Sequence, residues 1–278
     1  MSFDLGQQTS DDGMITTLTF SDPARHNQLC WAAIDQLADA LSRSRTAGTR
    51  IIILASGLPG HWLQHAWLED LCAGIEGREQ TGSGTGWLQA LQELANEDII
   101  SIAAISGDTS GGGAELGWAC DFRIAESTAR FAQPEIDMGL TTGIGGCSRL
   151  MRLAGPTTTT QMVLTGQPMP AKRLYELGAL TEVVEPGASL AAAMTVARGL
   201  VTKPPMAMHA LKRILRRAQE LSLTESLAFE QGTFQEIAVT DDAINGMKSA
   251  QAAYDTKASM SSSHIDPGFS KETFDPMS

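Results

Sequence analysis

Residues 106–125 read SGDTSGGGAELGWACDFRIA and set three glycines before a glutamate at the start of an apolar helical pattern. Backbone N–H groups at a helix N-terminus lack intrahelical partners and carry partial positive charge, so such a start can hold an oxyanion. Glycine removes the side chains that would obstruct the approach. Gly111, Gly112 and Gly113 therefore suit a loop that offers a backbone N–H to a carbonyl oxygen, and Glu115 is expected within the first helical turn, facing the same ligand. The same residues would also serve as a tight strand-to-helix turn with an acid near the positive end of the dipole.

Other side chains in the sequence could also be reactive. His61, His65 and Glu69 stand four residues apart, which on a continuous helix would put three metal ligands on one face. A Pro-Gly turn precedes them and no fourth ligand is evident, so no metal site is expected. Trp62 and Trp67 flank His65 and either line an aromatic pocket or pack on the core. Ser110 lacks the GxSxG context of an activated nucleophile.

Positioning these groups requires alternating strands and helices. Residues 14–20 (MITTLTF), 50–55 (RIIILA) and 99–105 (IISIAAI) read as strands, the last two buried on both faces, and 99–105 leads into the glycines. Residues 31–41 place Ile34, Leu37, Ala38 and Leu41 on one helical face; 87–95 and 112–120 are also helical. Short strands follow at 122–125 and 130–131. The Gly-, Thr- and charge-rich stretch 73–86 reads as a mobile loop. Beyond Gly155 the patterns are mostly helical, with helices expected at 157–164, 171–177, 190–201, 206–219, 224–238 and 241–254. The fold class is α/β with crossovers, followed by helices. Residues 1–200 form the expected core, 201–258 a helical C-terminal region, and 259–278 a Ser-, Pro- and Asp-rich tail without periodicity, disordered or draped on a neighbour.

A net charge of −12 over 278 residues argues against nucleic-acid or anionic-membrane partners, which need clustered Lys and Arg. The basic residues Lys212, Arg213, Arg216 and Arg217 read as the solvated face of a helix. Cys30, Cys72, Cys120 and Cys147 are widely spaced, without CxxC, and suit reduced thiols. Neither a leader pattern nor an apolar run of membrane-spanning length is visible, so a soluble, cytoplasmic protein is expected.

The ordered motifs carry more information than any one of them. An apolar strand leads to GGG-x-E-L and then to C-D-x-R-I-A at residues 120–125. ARFAQPEIDMG follows at 129–139, TTGIGGCSRLMRL at 141–153, LTG at 164–166 and AKRLYELGALTEVV at 171–184. This succession closely resembles the enoyl-CoA hydratase/isomerase (crotonase) superfamily over about residues 16–247. The resemblance implies a crotonase-like ββα spiral core with a helical oligomerisation region, and a homotrimer or homohexamer. It implies that the N–H groups of Ala66 and Gly112 hold the oxygen of a thioester enolate and that Glu115 and Glu135 are the acid/base pair. Around them, His65, Trp67, Leu68, Gly111, Thr142 and Gly143 are expected to contact substrate. The implied reaction is hydration of an α,β-unsaturated acyl thioester, or its reverse, with no cofactor and no metal; the acyl group arrives on CoA or a carrier protein as substrate. For such a pair to work near neutral pH, burial should raise one carboxyl pKa.

Three segments depart from the family pattern. The oxyanion loop, usually G-x-D-L, reads His65-Ala66-Trp67-Leu68. Thr142-Gly143-Ile144-Gly145-Gly146 stands where P-G-x-G-G is common, and residues 250–257 (AQAAYDTK) offer only Lys257 in place of a basic cluster. Two alternatives therefore stay open: a CoA-independent hydrolase of the same fold that cleaves a β-diketone carbon–carbon bond, with His65 or His61 as an extra base, and a non-catalytic binding or scaffold member.

Overall fold

Runs of β-branched and apolar residues become the strands, and the computed structural model describes residues 3–255 of the chain. β1 (Asp4–Thr9) and β2 (Ile15–Ser21) form an antiparallel hairpin that pairs Thr9 with Thr16. The first helix, α1 (Trp31–Thr46), buries Ile34, Leu37, Ala38 and Leu41, the face that their spacing predicts. Next come β3 (Ile51–Ser56), the two-residue β4 (Gly60–His61), α2 (Leu68–Glu76) and α3 (Gly86–Ala95). β5 (Ile100–Ile105) is buried along its whole length and passes into β6 (Gly107–Ser110), which precedes α4 (Gly111–Ala119). β7 (Phe122–Glu126) and β8 (Arg130–Ala132) lead to a single 3-10 turn at Pro134–Met138. α5 (Ser148–Thr165) is broken where Gly155 takes φ 79° before Pro156. The unit closes with β9 (Met169–Pro170), α6 (Ala171–Glu176), β10 (Glu182–Val184) and α7 (Ser189–Val201).

Two sheets result. The larger has the order β1-β2-β3-β5-β7-β10 and is parallel except for β1. Helix α7 packs on β3, β5 and β7, and the side chains of β3 and β5 are buried on both faces, so those two strands read as continuous apolar runs. Each fully buried Ile or Leu there contributes about 1.5–3 kcal/mol through its removal from water. The smaller sheet, β4-β6-β8-β9, is antiparallel only at β9.

Contacts divide the chain after Pro205. The second unit holds α8 (Pro205–Arg217), α9 (Leu223–Ala238) and α10 (Asp241–Asp255). Ser222 and Glu225 form a reciprocal capping box at the start of α9, and Arg213 pairs with Glu236 at 2.9 Å. Lys257 and the tail 259–278 lie outside the described residues.

Several local expectations differ from what is observed. β1, β6 and β10 are absent from the sequence reading, because they are short or polar and gain their stability from neighbours rather than from their own pattern. The stretch 73–86 is not a free loop. α2 continues to Glu76, and the rest is tied to α1 through Asp70, which accepts from Trp31 N at 2.6 Å and Thr81 N at 2.8 Å. Asp35 does the same for Ser83 N at 2.7 Å and Gly86 N at 2.9 Å.

Candidate active site

The register of the small sheet brings two chain segments out side by side. In the parallel β6 and β8, Thr109 pairs with Phe131 and Ser110 with Ala132. Beyond those pairs one segment becomes α4 and the other runs through Gln133 and Pro134 to Glu135. The three glycines are the first three residues of α4 rather than a loop before it. Gly111 has φ 49°, and a Cβ built on it would stand 3.2 Å from Glu135 Oε1 and 2.8 Å from His65 Cβ. That close approach, in a left-handed conformation, is what requires glycine there.

Glu115 is the fifth residue of α4, one residue further in than the sequence places it, and so lies on the same face as Gly111. It is buried, and its Oε1 accepts the backbone N–H of Ile144 at 3.0 Å and of Gly146 at 2.6 Å. The segment 142–146 is thus folded over this carboxyl. Thr142 uses its hydroxyl to accept Cys147 N at 3.1 Å, and Gly143 is exposed.

Glu135 is also buried, in the 3-10 turn that Gly139 ends at φ 70°. Burial is the main cause that pushes its carboxyl up to about 7, with the nearby charge of Glu115 adding to the rise and its own backbone N–H opposing it. Sequence reasoning missed Gln133, which is fully buried between the sheet and the turn. The hydrogen-bond network assigns its amide orientation: the oxygen accepts Trp118 Nε1–H at 3.1 Å, and the nitrogen donates to Glu135 Oε1 at 3.1 Å and Oε2 at 3.3 Å.

Opposite the start of α4 runs the segment 62–67. Gly113 abuts it so closely that a Cβ would fall 2.2 Å from the Leu63 carbonyl oxygen. Thr109 Oγ1 donates to the same oxygen at 2.6 Å, and Trp62 N donates to Asp108 O at 2.9 Å. Ala66 makes a parallel bridge with Leu29, in which Leu29 N donates to His65 O at 3.0 Å and Trp67 N to Leu29 O at 2.9 Å. This pattern fixes the 65–66 peptide plane with the N–H of Ala66 directed away from Leu29. Gly112, at the second position of its helix, has no preceding turn to accept its own N–H.

The remaining expected contacts spread around this centre. His65 is half-buried and its Nδ1 donates to Ala66 O at 2.8 Å, which fixes the ring. The ring of Trp67 is covered by the Arg25 guanidinium, 4.6 Å from its centroid, and Leu68 begins α2. His61 lies in β4, His65 in the loop and Glu69 in α2, so they do not share a helix. Among the described residues no group of three or more His, Cys, Asp or Glu could hold a metal. All four cysteines are free thiols. No helix of the described residues is long and apolar enough to cross a membrane.

A mostly parallel sheet with helical crossovers, a second small sheet and helices at the C-terminal end define the crotonase fold. The structure superposes on the enoyl-CoA hydratase of Mycobacterium tuberculosis with a TM-score of 0.77 at 29% identity, over 91% of this chain and 95% of that one. The sequence model of the enoyl-CoA hydratase/isomerase family matches residues 10–256, and the chain belongs to that family. It is 36% identical over 173 residues to the short-chain-enoyl-CoA hydratase of Clostridium acetobutylicum, a match over 62% of this chain and 65% of that relative. It is 30% identical over 238 residues to the 2,3-dehydroadipyl-CoA hydratase of Escherichia coli, over 84% of this chain and 90% of the relative.

Proposed function

We propose that the protein adds water across the double bond of an α,β-unsaturated acyl thioester, or catalyses the reverse dehydration. The observation that carries this reading is the Glu115–Glu135 pair, two buried carboxyls of which Glu135 is pushed up to about 7 by burial, so that its protonated and ionised forms are both available near neutral pH. The hydratases among its relatives support the same class of substrate. The thioester carbonyl oxygen accepts the N–H groups of Ala66 and Gly112, which stabilise the charge that develops there. Glu115 takes a proton from water as the water oxygen bonds to the β-carbon, and the π pair moves to form the enolate. Glu135 then gives its proton to the α-carbon as the carbonyl re-forms. The two carboxyls finish with their proton states exchanged, and passage of one proton from Glu115 to Glu135 resets the site. The scheme uses no cofactor and no metal.

His65 favours a second reading, because it stands beside Gly111 and Glu135 in place of a smaller residue. With Nδ1–H donated to the Ala66 carbonyl, Nε2 is the His65 nitrogen left to act as a base for water attack on a β-diketone. Loss of the enoyl absorbance of crotonyl-CoA separates the two. Turnover of crotonyl-CoA supports hydration; cleavage of a β-diketone with no reaction of crotonyl-CoA rejects it, and inertness to both leaves the scaffold role. We also propose a homotrimer or homohexamer, since α8 and α9 leave Leu215, Leu227 and Phe234 largely exposed.

A further inference from the structure

Trp118 and Gln133 are buried polar side chains that the reaction scheme does not use. Trp118 is 3% exposed, and its ring stacks on Phe131 with centroids 5.2 Å apart. A buried indole N–H needs an acceptor, and the Gln133 amide oxygen is in place at 3.1 Å. Gln133 is packed closely against Gly146. A Cβ on Gly146 would stand 2.7 Å from the end of its amide, and Gly146 is the residue whose N–H holds Glu115. The amide can turn over in this slot without changing shape, and each face presents a different atom to Glu135.

We propose that Trp118 is a positioning residue for Glu135, acting through Gln133: its indole N–H fixes the amide so that NH2, and not oxygen, faces the carboxyl. The proposal rests on the reading of Glu135 as proton donor. The amide N–H groups favour the ionised carboxyl, whereas an amide oxygen in the same place would favour the protonated acid. Trp118 thus holds Glu135 ready to release its proton, against the burial that disfavours the charge. Glu115 on α4 is the acid whose charge acts on Glu135, and His65 lies across Gly111. α5, which packs on the turn, directs Arg149 to the Ile144 carbonyl.

The test is the titration of the Glu135 carboxyl by 13C NMR in the full chain labelled at glutamate, with the resonance identified by its absence from Glu135→Gln. Trp118→Phe keeps the stacking on Phe131 and removes the N–H. Its Glu135 midpoint should rise by about one pH unit, and Gln133→Met should raise it similarly. The double variant should shift no further than Gln133→Met alone, because both act through one amide. A wild-type midpoint in Trp118→Phe, or additive shifts in the double variant, would overturn the proposal. Should Trp118→Phe not fold, the Trp118 indole N–H resonance of the unaltered protein serves instead. It should move with the Glu135 midpoint, and a resonance indifferent to that titration would overturn the proposal. Neither readout depends on turnover, so failure of the hydratase reading shows separately in the crotonyl-CoA assay.

Discussion

Ser110 and Ala132 are paired across β6 and β8, and from that pair the two proposed catalytic segments leave the sheet together. Because the strands are parallel, both segments exit at the same end, one as α4 with Glu115, the other through Gln133 to Glu135. The placement of Glu115 and Glu135 is thus set by strand register, and a slip of one residue would turn every side chain of the strand to the other face.

The carboxyl of Glu135 should impose a pH dependence of definite sign. Its folded pKa, about 7, lies above the ordinary 4.5, so the native state holds the proton more tightly than the unfolded chain. The resulting stability is fully present below about 4.5 and is lost as pH rises toward 7, a change on the order of 3 kcal/mol. Urea denaturation of wild type and Glu135→Gln between pH 4 and 8 checks this: the difference between the two curves should slope downward with pH. With Glu135 as the proposed proton donor, hydration should slow above about pH 7.

Glu115 should show a split between two substitutions. Gln at this position keeps an oxygen for the amides of Ile144 and Gly146 but cannot take a proton. Turnover should fall by about 10²–10⁴ with little change in the melting temperature. Ala leaves both amides without their acceptor and should cost about 1–3 kcal/mol per unpaired group as well. Thermal melts alongside the kinetics distinguish the two.

Gly112 faces the ring of Trp87, and a Cβ there would stand 2.7 Å from Cη2. Gly112→Ala should destabilise the fold by about 1–3 kcal/mol through overpacking and should lower turnover by displacing the α4 start. Adding Trp87→Leu should recover part of the stability, which denaturant midpoints would reveal.

Asp70 anchors the 77–86 segment by accepting from Trp31 N, Thr81 N and Thr81 Oγ1, the last at 2.5 Å. Asp70→Ala should make that segment the first site of limited proteolysis, at a rate about tenfold or more above wild type. Equal cleavage patterns would show that the anchor does not hold it.

Much of this arrangement is legible in the residues alone. The apolar runs at 50–55 and 99–105 announce buried strands because they are covered on both faces. The GGG-x-E-L start of α4 announces close backbone approach, which the contacts of Gly111 and Gly113 explain. What the sequence hides is set by non-local pairing. β6, GDTS, carries no strand periodicity and exists through β4 and β8. The anchoring of 77–86 depends on Asp70 and Asp35, whose partners lie 11 to 51 residues away. Trp118 and Gln133 read as one more apolar residue and one more polar residue until their amide and indole meet. A signal was present all the same: an indole inside a helix buried on all sides must find an acceptor.

The proposed joint action of Glu115 and Glu135 on one substrate is tested by kcat/KM for hydration of crotonyl-CoA by wild type, Glu115→Gln, Glu135→Gln and the double variant, each checked for native melting. Each single substitution should lose about 10²-fold or more, and the double variant little beyond either one, as residues that act together do. Activity within tenfold of wild type in either single variant, or independent losses that multiply in the double, would contradict it.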